Sequence, residues 1–465
     1  MAMIQAFRSK EVAVDKIYRT SKKERLSFAL YMMGGGMYNS AIGYIQVFYT
    51  SMGIAATAVG SILLTTHVWD AVNDPIFGLI LDRVNLKGGK LLPWLKIATF
   101  CLPACVIFLF FMPAGISSTA KIVWGVAAYL LYEMAYTIND VPIFSMTSAM
   151  TDQVHERVGM MSRSSIISGL AVVLVMAGFP LLYNGIGWRL SAAAICVPAF
   201  LTMLSLVRTG KERYVNKDEE KVTLRVMWEY IKENKFLRIY YIGLTIMNIT
   251  NTAQTVLPYF AANNLGDENL TAVLVTIVAA PGLFMALLLP VLTRRLDRFQ
   301  IFMACAVGSG VIGALSYFVG YENPALFYGM LALRALCMGS LLVVQLMFTA
   351  DIVEYGEYKT GKRLQGTAFS LQTFTFKFFN AVAAAAAMFI LGAFGFVEGE
   401  GILQGPQTQG AIWFLFSLFP AIGVALSLPV MLRYRLRDRD VQVMAKVNGG
   451  EMAREEAEAL FAGRY

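Results

Sequence analysis

Uninterrupted apolar runs of about 20 residues or more recur along this chain, and a helix of that length spans a bilayer core of about 30 Å. Twelve can be read, at about 26–50, 57–82, 92–112, 121–148, 165–186, 188–208, 239–262, 270–293, 300–319, 325–350, 367–393 and 411–433. Each is twice what a membrane strand uses and lacks the alternation of a barrel strand, so helices are predicted. Composition agrees: only 15% of the 465 residues are charged and mean hydropathy is +0.58, whereas soluble domains carry about 25% charged residues. The expected fold class is an all-α integral membrane protein.

An even number of spans returns both termini to one side. All 39 Lys and Arg lie in the termini or connections of that side, except Lys121 and Arg189 on the other side and Arg334 and Lys377 inside spans. By the positive-inside rule the chain is a multi-pass protein of the cell (cytoplasmic) membrane with both termini cytoplasmic. The net charge of +8 then reflects topology, and no nucleic-acid partner is expected. Residues 1–25 read as a basic cytoplasmic segment in place of a cleavable signal, with the first helix as its own insertion signal.

The polar stretch after the sixth span, which contains KERYVNKDEEK, divides the chain into an N-terminal six-helix bundle (26–208), a solvated cytoplasmic linker (209–238), a C-terminal six-helix bundle (239–433) and a cytoplasmic tail (434–465). The halves also repeat. PIFGLILDR at Pro75–Arg83 corresponds to PVLTRRLDR at Pro290–Arg298, and Thr151-Asp152 before Arg163 corresponds to Ala350-Asp351 before Arg363. Two six-helix repeats around a central cavity is the architecture of many secondary transporters.

Several chemistries are excluded. The five cysteines sit inside apolar runs with no CxxC, and two distant histidines make neither a zinc site nor HExxH. GEYKTGK at Gly356–Lys362 fits GxxxxGK, but Arg363 stands where Mg²⁺ needs Ser or Thr, so it reads as a loop between spans. No enzyme and no cofactor are expected. An ion gradient is the expected driving force.

Charges inside a span are costly and mark function. WDAVNDP puts Asp70, Asn73 and Asp74 at i, i+3 and i+4 on one helical turn. Two carboxylates and an amide are hard oxygen ligands, and a bound cation relieves their repulsion, so Asp70 and Asp74 with Asn73 are candidates for a Na⁺ or H⁺ coupling site. Pairing of these acids with Arg334 or Lys377 is the competing reading. In the fourth span Glu133, Tyr136, Thr137 and Asp140 share one face, offering carboxylates and hydroxyls of the kind a sugar needs. Asp82-Arg83 and Asp297-Arg298, at the cytoplasmic ends of their helices, read as gating or structural charges. Lys377 needs a partner from another helix or from substrate.

These residues also carry a resemblance. WDAVNDPIFGLILDR with Gly89 and Pro93-Trp94, YTINDVPIFSM, and ADIVEYGEYKTGKR followed by Lys377 together resemble the glycoside-pentoside-hexuronide:cation symporters of the major facilitator superfamily, over residues 26 to 433. The resemblance implies a twelve-helix major facilitator fold in two six-helix bundles and cation-coupled symport of a sugar or glycoside by alternating access. It implies cation binding at Asp70, Asn73, Asp74 and Thr137, and a sugar pocket lined by Tyr136, Asp140, Arg163, Lys377, Gln372 and Thr373. Asp351 falls with the gating charges. A sugar or glycoside, a monovalent cation and the bilayer are the expected partners, with a single chain as the functional unit.

Three positions depart from the family pattern. The sugar-binding Asp of the first helix falls near Gly35, within MMGGGMYNS. Glu133 stands where a small residue is usual, and either replaces that carboxylate or pairs with Arg334. Phe144 stands in place of a Trp in the pocket. A sodium-coupled lysolipid or other amphiphile carrier of the same superfamily is the alternative.

Overall fold

A computed structural model describes residues 18–465 except Asn85, Asp152, 215–223, Arg294, 362–363, Glu400 and 462–463. Asp152 and Arg363 of the repeated motifs, and the side chain of Asp82, therefore lie outside the described residues. The membrane-spanning helices are α1 (Lys22–Ile42), α2 (Ile45–Ser51), α3 (Ala56–Arg83), α4 (Leu92–Phe110), α5 (Ser118–Met150), α6 (Val154–Thr209), α8 (Lys235–Ile249), α9 (Ala253–Asn263), α10 (Leu270–Leu292), α11 (Arg298–Val319), α12 (Pro324–Thr360), α13 (Gln365–Ala393) and α14 (Pro406–Met431). The linker carries α7 (Leu224–Glu233), and the tail carries α15 (Asp438–Asn448) and α16 (Arg454–Phe461).

These helices deliver the twelve spans. Local chemistry sets their ends: Ser21 and Glu24 form a capping box on α1, Asp297 and Gln300 one on α11, and the Asn234 side chain caps α8. Span 1 is α1 plus α2, interrupted at Gly43-Tyr44, and span 7 is α8 plus α9, interrupted at Thr250–Thr252. The first span of each half is thus broken, a further mark of the repeat. α6 contains spans 5 and 6, which meet at Gly187, where φ is 79°; glycine reaches that conformation without steric cost.

Two expectations are corrected. GEYKTGK is not a loop up to its end: α12 continues to Thr360, and Gly361 closes it in the left-handed conformation. The linker is not simply a solvated strap either. The Glu212 carboxylate accepts from the amides of Lys90, Leu91 and Leu92 at 2.6–2.8 Å, at the start of α4, and Arg213 bonds Glu24 at 2.7 Å.

Among the described residues, six stretches are long and apolar enough to cross a membrane; α3 and α5 are not among them, because their polar side chains dilute the apolar run. The halves meet through α3 against α13 and α6 against α10. One buried apolar cluster joins both halves, and its C-terminal-half members, such as Tyr259, Phe260, Met388 and Trp413, lie toward the side opposite the termini. A second cluster, around Tyr240, Phe348 and Tyr434, belongs to the C-terminal half alone and lies toward the terminal side. Hydrogen bonds between halves gather at the same far end: Thr50 with Tyr259 at 3.0 Å, Gly399 N to Thr50 O at 3.1 Å, Ala56 N to Glu398 at 3.1 Å and Asn184 to Asn269 at 3.3 Å. Among the described residues, these contacts seal the far side.

Candidate functional site

At mid-depth, α3, α5 and α13 bring their charged residues together. Asn73, buried, donates to the Thr137 hydroxyl at 2.8 Å, and that hydroxyl donates to Asp74 Oδ1 at 2.8 Å. The i, i+4 spacing on α5 then sets Glu133 one turn to one side of Thr137, while Asp140 follows it. Lys377 crosses from the other half, its Nζ 3.3 Å from Asp140 Oδ2 and 3.7 Å from Asp74 Oδ2. Asp70 stands within electrostatic reach of Lys377, Asp74 and Asp140, and buried Glu133 within reach of Asp70, Asp74 and Lys377. Four carboxylates thus share one lysine. Such a site attracts further positive charge, which is the property a cation carrier needs.

The surrounding walls are aromatic and amide. Tyr136 stacks on Tyr132 with ring centroids 5.8 Å apart and an interplanar angle of 28°. Among the described residues Gln372 is buried without a hydrogen-bond partner on either amide atom, while Thr373 and Phe144 are exposed. Arg163 is exposed on α6.

Arg334 separates from this group. Its Nη1 donates to the Phe416 carbonyl at 3.1 Å, and its guanidinium carbon lies 3.3 Å from where a Cβ on Gly313 would stand. It ties α11, α12 and α14 together, so among the bases considered Lys377 is the one that meets the acids.

The terminal-side charges form their own knot. Arg298 bonds Asp351 at 2.8 Å and Asp438 of the tail at 2.7 Å, Asp297 caps α11, and Asp297 also accepts from the amide of Asp438 at 3.0 Å. Arg83 is exposed.

The sequence reading passed over Asn139. It is buried, its Oδ1 has no partner among the described residues, and its Nδ2 lies 3.4 Å from where a Cβ on Gly35 would stand. The sole hint was an amide beside Asp140.

A family model described as MFS/sugar transport protein matches residues 27–438. The chain belongs to that family. Within it, the motifs and relatives place the chain with the glycoside-pentoside-hexuronide:cation symporters. It is 27% identical over 85% of its length to the glucuronide carrier protein homolog of Escherichia coli (strain K12), covering 88% of that protein. It is 26% identical to the isoprimeverose transporter of Lactiplantibacillus pentosus, with 91% of this chain and 90% of that one aligned. Among solved structures, the nucleoside transporter NupG superposes with a TM-score of 0.65 at 13% identity, covering 89% of this chain and 100% of the other. A bacterial homolog of the lysosomal transporter Spinster, in an inward-facing conformation, gives 0.64 at 12% identity over 89% and 97%. These two likenesses concern the fold, which is the twelve-helix major facilitator fold in two six-helix bundles.

Proposed function

We propose that this protein is a secondary active transporter of the cell membrane that couples entry of a monovalent cation, Na⁺ or H⁺, to symport of a sugar or glycoside by alternating access. Both termini face the cytoplasm in this reading, so the side sealed between the bundles is the outer one. The observation that carries the reading is Lys377, which bridges Asp74, in the candidate cation set, and Asp140, in the candidate sugar set. The names of the relatives support a sugar as the cargo over the amphiphile alternative.

Asp70, Asn73, Asp74 and Thr137 hold the cation in this reading, with Asp70 and Asp74 its charged ligands. Asp140, Tyr136 and Glu133 hold the sugar from α5, and Gln372, Thr373, Lys377, Phe144 and Arg163 complete the pocket. A cation on Asp74 takes over the charge balance that Lys377 supplies there. Lys377 is then released toward Asp140, where it donates to a sugar hydroxyl or holds the carboxylate that accepts from one. Cation binding raises sugar affinity in this way, and reciprocity requires sugar to raise cation affinity by the same factor. The Asp297, Arg298 and Asp351 knot, with Asp82 and Arg83 in the other half, carries the terminal-side gate.

Thermal unfolding of the purified protein against mono-, di- and uronic saccharides, with and without Na⁺ at two pH values, tests this reading. A saturating ligand at about 100 times its dissociation constant adds about 2.7 kcal/mol. Stabilisation by one sugar that grows with Na⁺ or acid, and loses that growth in Asp74→Asn, is expected. Stabilisation by lysolipid and by no sugar overturns it.

A further inference from the structure

Between the two halves, on the side opposite the termini, lies a cavity of about 200 Å³ that the mid-depth site does not account for. Depth separates the two: from Lys377 to the end of α13 is about 24 Å of helix, at about 1.5 Å per residue, and Phe396, beyond that end, lines the cavity. One wall is made by a very short connection. Spans 5 and 6 are joined through Tyr183-Asn184-Gly185-Ile186-Gly187-Trp188, and the positive φ of Gly187 turns the chain so tightly that the Tyr183 and Trp188 rings stack, with centroids 3.9 Å apart and an interplanar angle of 10°. The C-terminal half supplies Tyr259 and Phe396, which meet edge to face at 5.3 Å and 85°.

Polar groups stand among these rings. Tyr183 is only 7% exposed, and its hydroxyl has no hydrogen-bond partner among the described residues. Glu268, on the loop between α9 and α10, lines the cavity within electrostatic reach of Tyr183, and a carboxylate has lone pairs for several donors at once. Two lining amides are already engaged. Asn263 donates to the Tyr259 carbonyl at 2.9 Å and accepts from the Gln404 amide at 3.2 Å, while the Gln404 side chain bonds both the amide and the carbonyl of Val397, at 2.9 and 2.8 Å. They hold the wall in shape. No Lys, Arg or His is found among the described lining residues.

Aromatic faces cover the apolar C–H side of a sugar ring, and carboxylates and phenols bond its hydroxyls. The volume is below the about 300–1,000 Å³ of pockets for drug-sized ligands, which limits the occupant to one ring. Glu268, with no lining cation to offset it, disfavours an acidic one. We propose that this cavity is a second saccharide site, separate from the mid-depth one, which takes a single neutral pyranose ring from the far side: Tyr183 and Trp188 form the platform under the ring, and Glu268 and the Tyr183 hydroxyl bond its hydroxyls. Leu403, 74% exposed, stands at the mouth. In the topology proposed above the far side is the outer one, so this site meets sugar before the mid-depth site does. It goes beyond that reading, and it depends neither on cation coupling nor on the cargo held by Lys377 and Asp140.

Thiol protection in the full-length protein in nanodiscs tests the site. The thiol introduced by Leu403→Cys is labelled with a water-soluble maleimide, and the parent protein, whose five cysteines lie within spans, serves as the blank. Methyl glucopyranoside, galactopyranoside or xylopyranoside is expected to slow labelling in a saturable way, and methyl glucuronide to leave it unchanged. Added to Leu403→Cys, Glu268→Gln should raise the half-protecting concentration about tenfold or more, and Tyr183→Phe about threefold, as loss of a hydrogen bond to a charged and to a neutral group implies. Asp140→Asn, which alters the mid-depth site alone, should leave the protection in place. Tryptophan fluorescence of the protein without Leu403→Cys supplies a second measurement: it should change over the same concentration range, and Trp188→Phe should remove the change. The proposal is overturned if none of the three neutral pyranosides protects, if methyl glucuronide protects equally, if Glu268→Gln and Tyr183→Phe both match the parent, if Asp140→Asn abolishes protection, or if the fluorescence change survives Trp188→Phe. Protection that persists in a protein showing no Na⁺- or acid-dependent stabilisation by any sugar would leave this site standing and remove the symport reading.

Discussion

Thr137 is the hinge of the proposed cation site, because one hydroxyl accepts from Asn73 and donates to Asp74. Thr137→Val removes both bonds and keeps the shape, leaving the buried Asn73 amide without that partner. A lost bond to a charged group is worth about 1.5–3 kcal/mol, so cation affinity, read from the Na⁺ or proton dependence of unfolding, should fall by about tenfold or more, and Thr137→Ser should retain most of it. A second residue prediction concerns Glu156 in the first turn of α6, which precedes the apolar, membrane-crossing part of that helix. Burial pushes the Glu156 carboxyl up, yet hydrogen bonds from the Thr151 and Thr20 hydroxyls and from the amides of Thr20 and Arg19 outweigh it and hold the group at about 2, below its ordinary 4.5. A depressed carboxyl stabilises the fold above its unfolded value and loses that stability as pH falls from about 4.5 toward 2. Glu156→Gln should therefore lower stability on the order of 1–3 kcal/mol near neutrality and flatten the acid limb of a melting-temperature profile. At this scale the sequence was legible where partners share a helix. Asp70, Asn73 and Asp74 follow from i, i+3, i+4 spacing, and the α5 stripe from its own period. Arg334 was not legible, because its partner is the carbonyl of Phe416, 82 residues away, and backbone carbonyls leave no mark in a sequence.

Glycines report on the packing of whole helices. A Cβ on Gly34 would stand 2.6 Å from the Ala199 carbonyl oxygen and 2.6 Å from Met203 Cγ, where α1 crosses α6, and one on Gly423 would run into Thr250 Oγ1, where α14 crosses the break in span 7. Overpacking costs about 1–3 kcal/mol. Gly34→Ala and Gly423→Ala should each lower the melting temperature measurably, while Gly185→Ala, with nothing within 4 Å, should not. The twelve spans themselves were readable because bilayer thickness fixes their length. The breaks in spans 1 and 7 were not: the apolar run continues through Gly43-Tyr44 without a proline, and the polar Thr250-Asn251-Thr252 is too short to divide the run around it. α7 was hidden for the opposite reason: its charged residues lie close to KERYVNKDEEK, and the eye reads charge as linker before it reads a helical period.

Across the whole molecule, the balance of charge at mid-depth couples the two bundles. Asp70, Asp74 and Asp140 are opposed by Lys377 from the other half, so the bundles cannot part at that level without exposing or re-pairing the lysine. Removing the lysine alone leaves the acids facing one another. Breaking a partly buried pair by deleting one partner costs more than deleting both, so Lys377→Gln should destabilise by about 1–3 kcal/mol, and Asp140→Asn added to it should restore part of the loss. The carboxylates that remain in Lys377→Gln have no lysine to hold them, and its melting temperature should rise more steeply than the parent's with added Na⁺ or with acid. If instead the two single losses add and cation dependence matches the parent, Lys377 is packing between helices and does not stand in for the transported charge. Sugar and cation must change one another's affinity by equal factors, so what reports on the Lys377 relay is the size of that common factor: it should fall toward one in Lys377→Gln, and titrating each ligand in the presence of the other measures it.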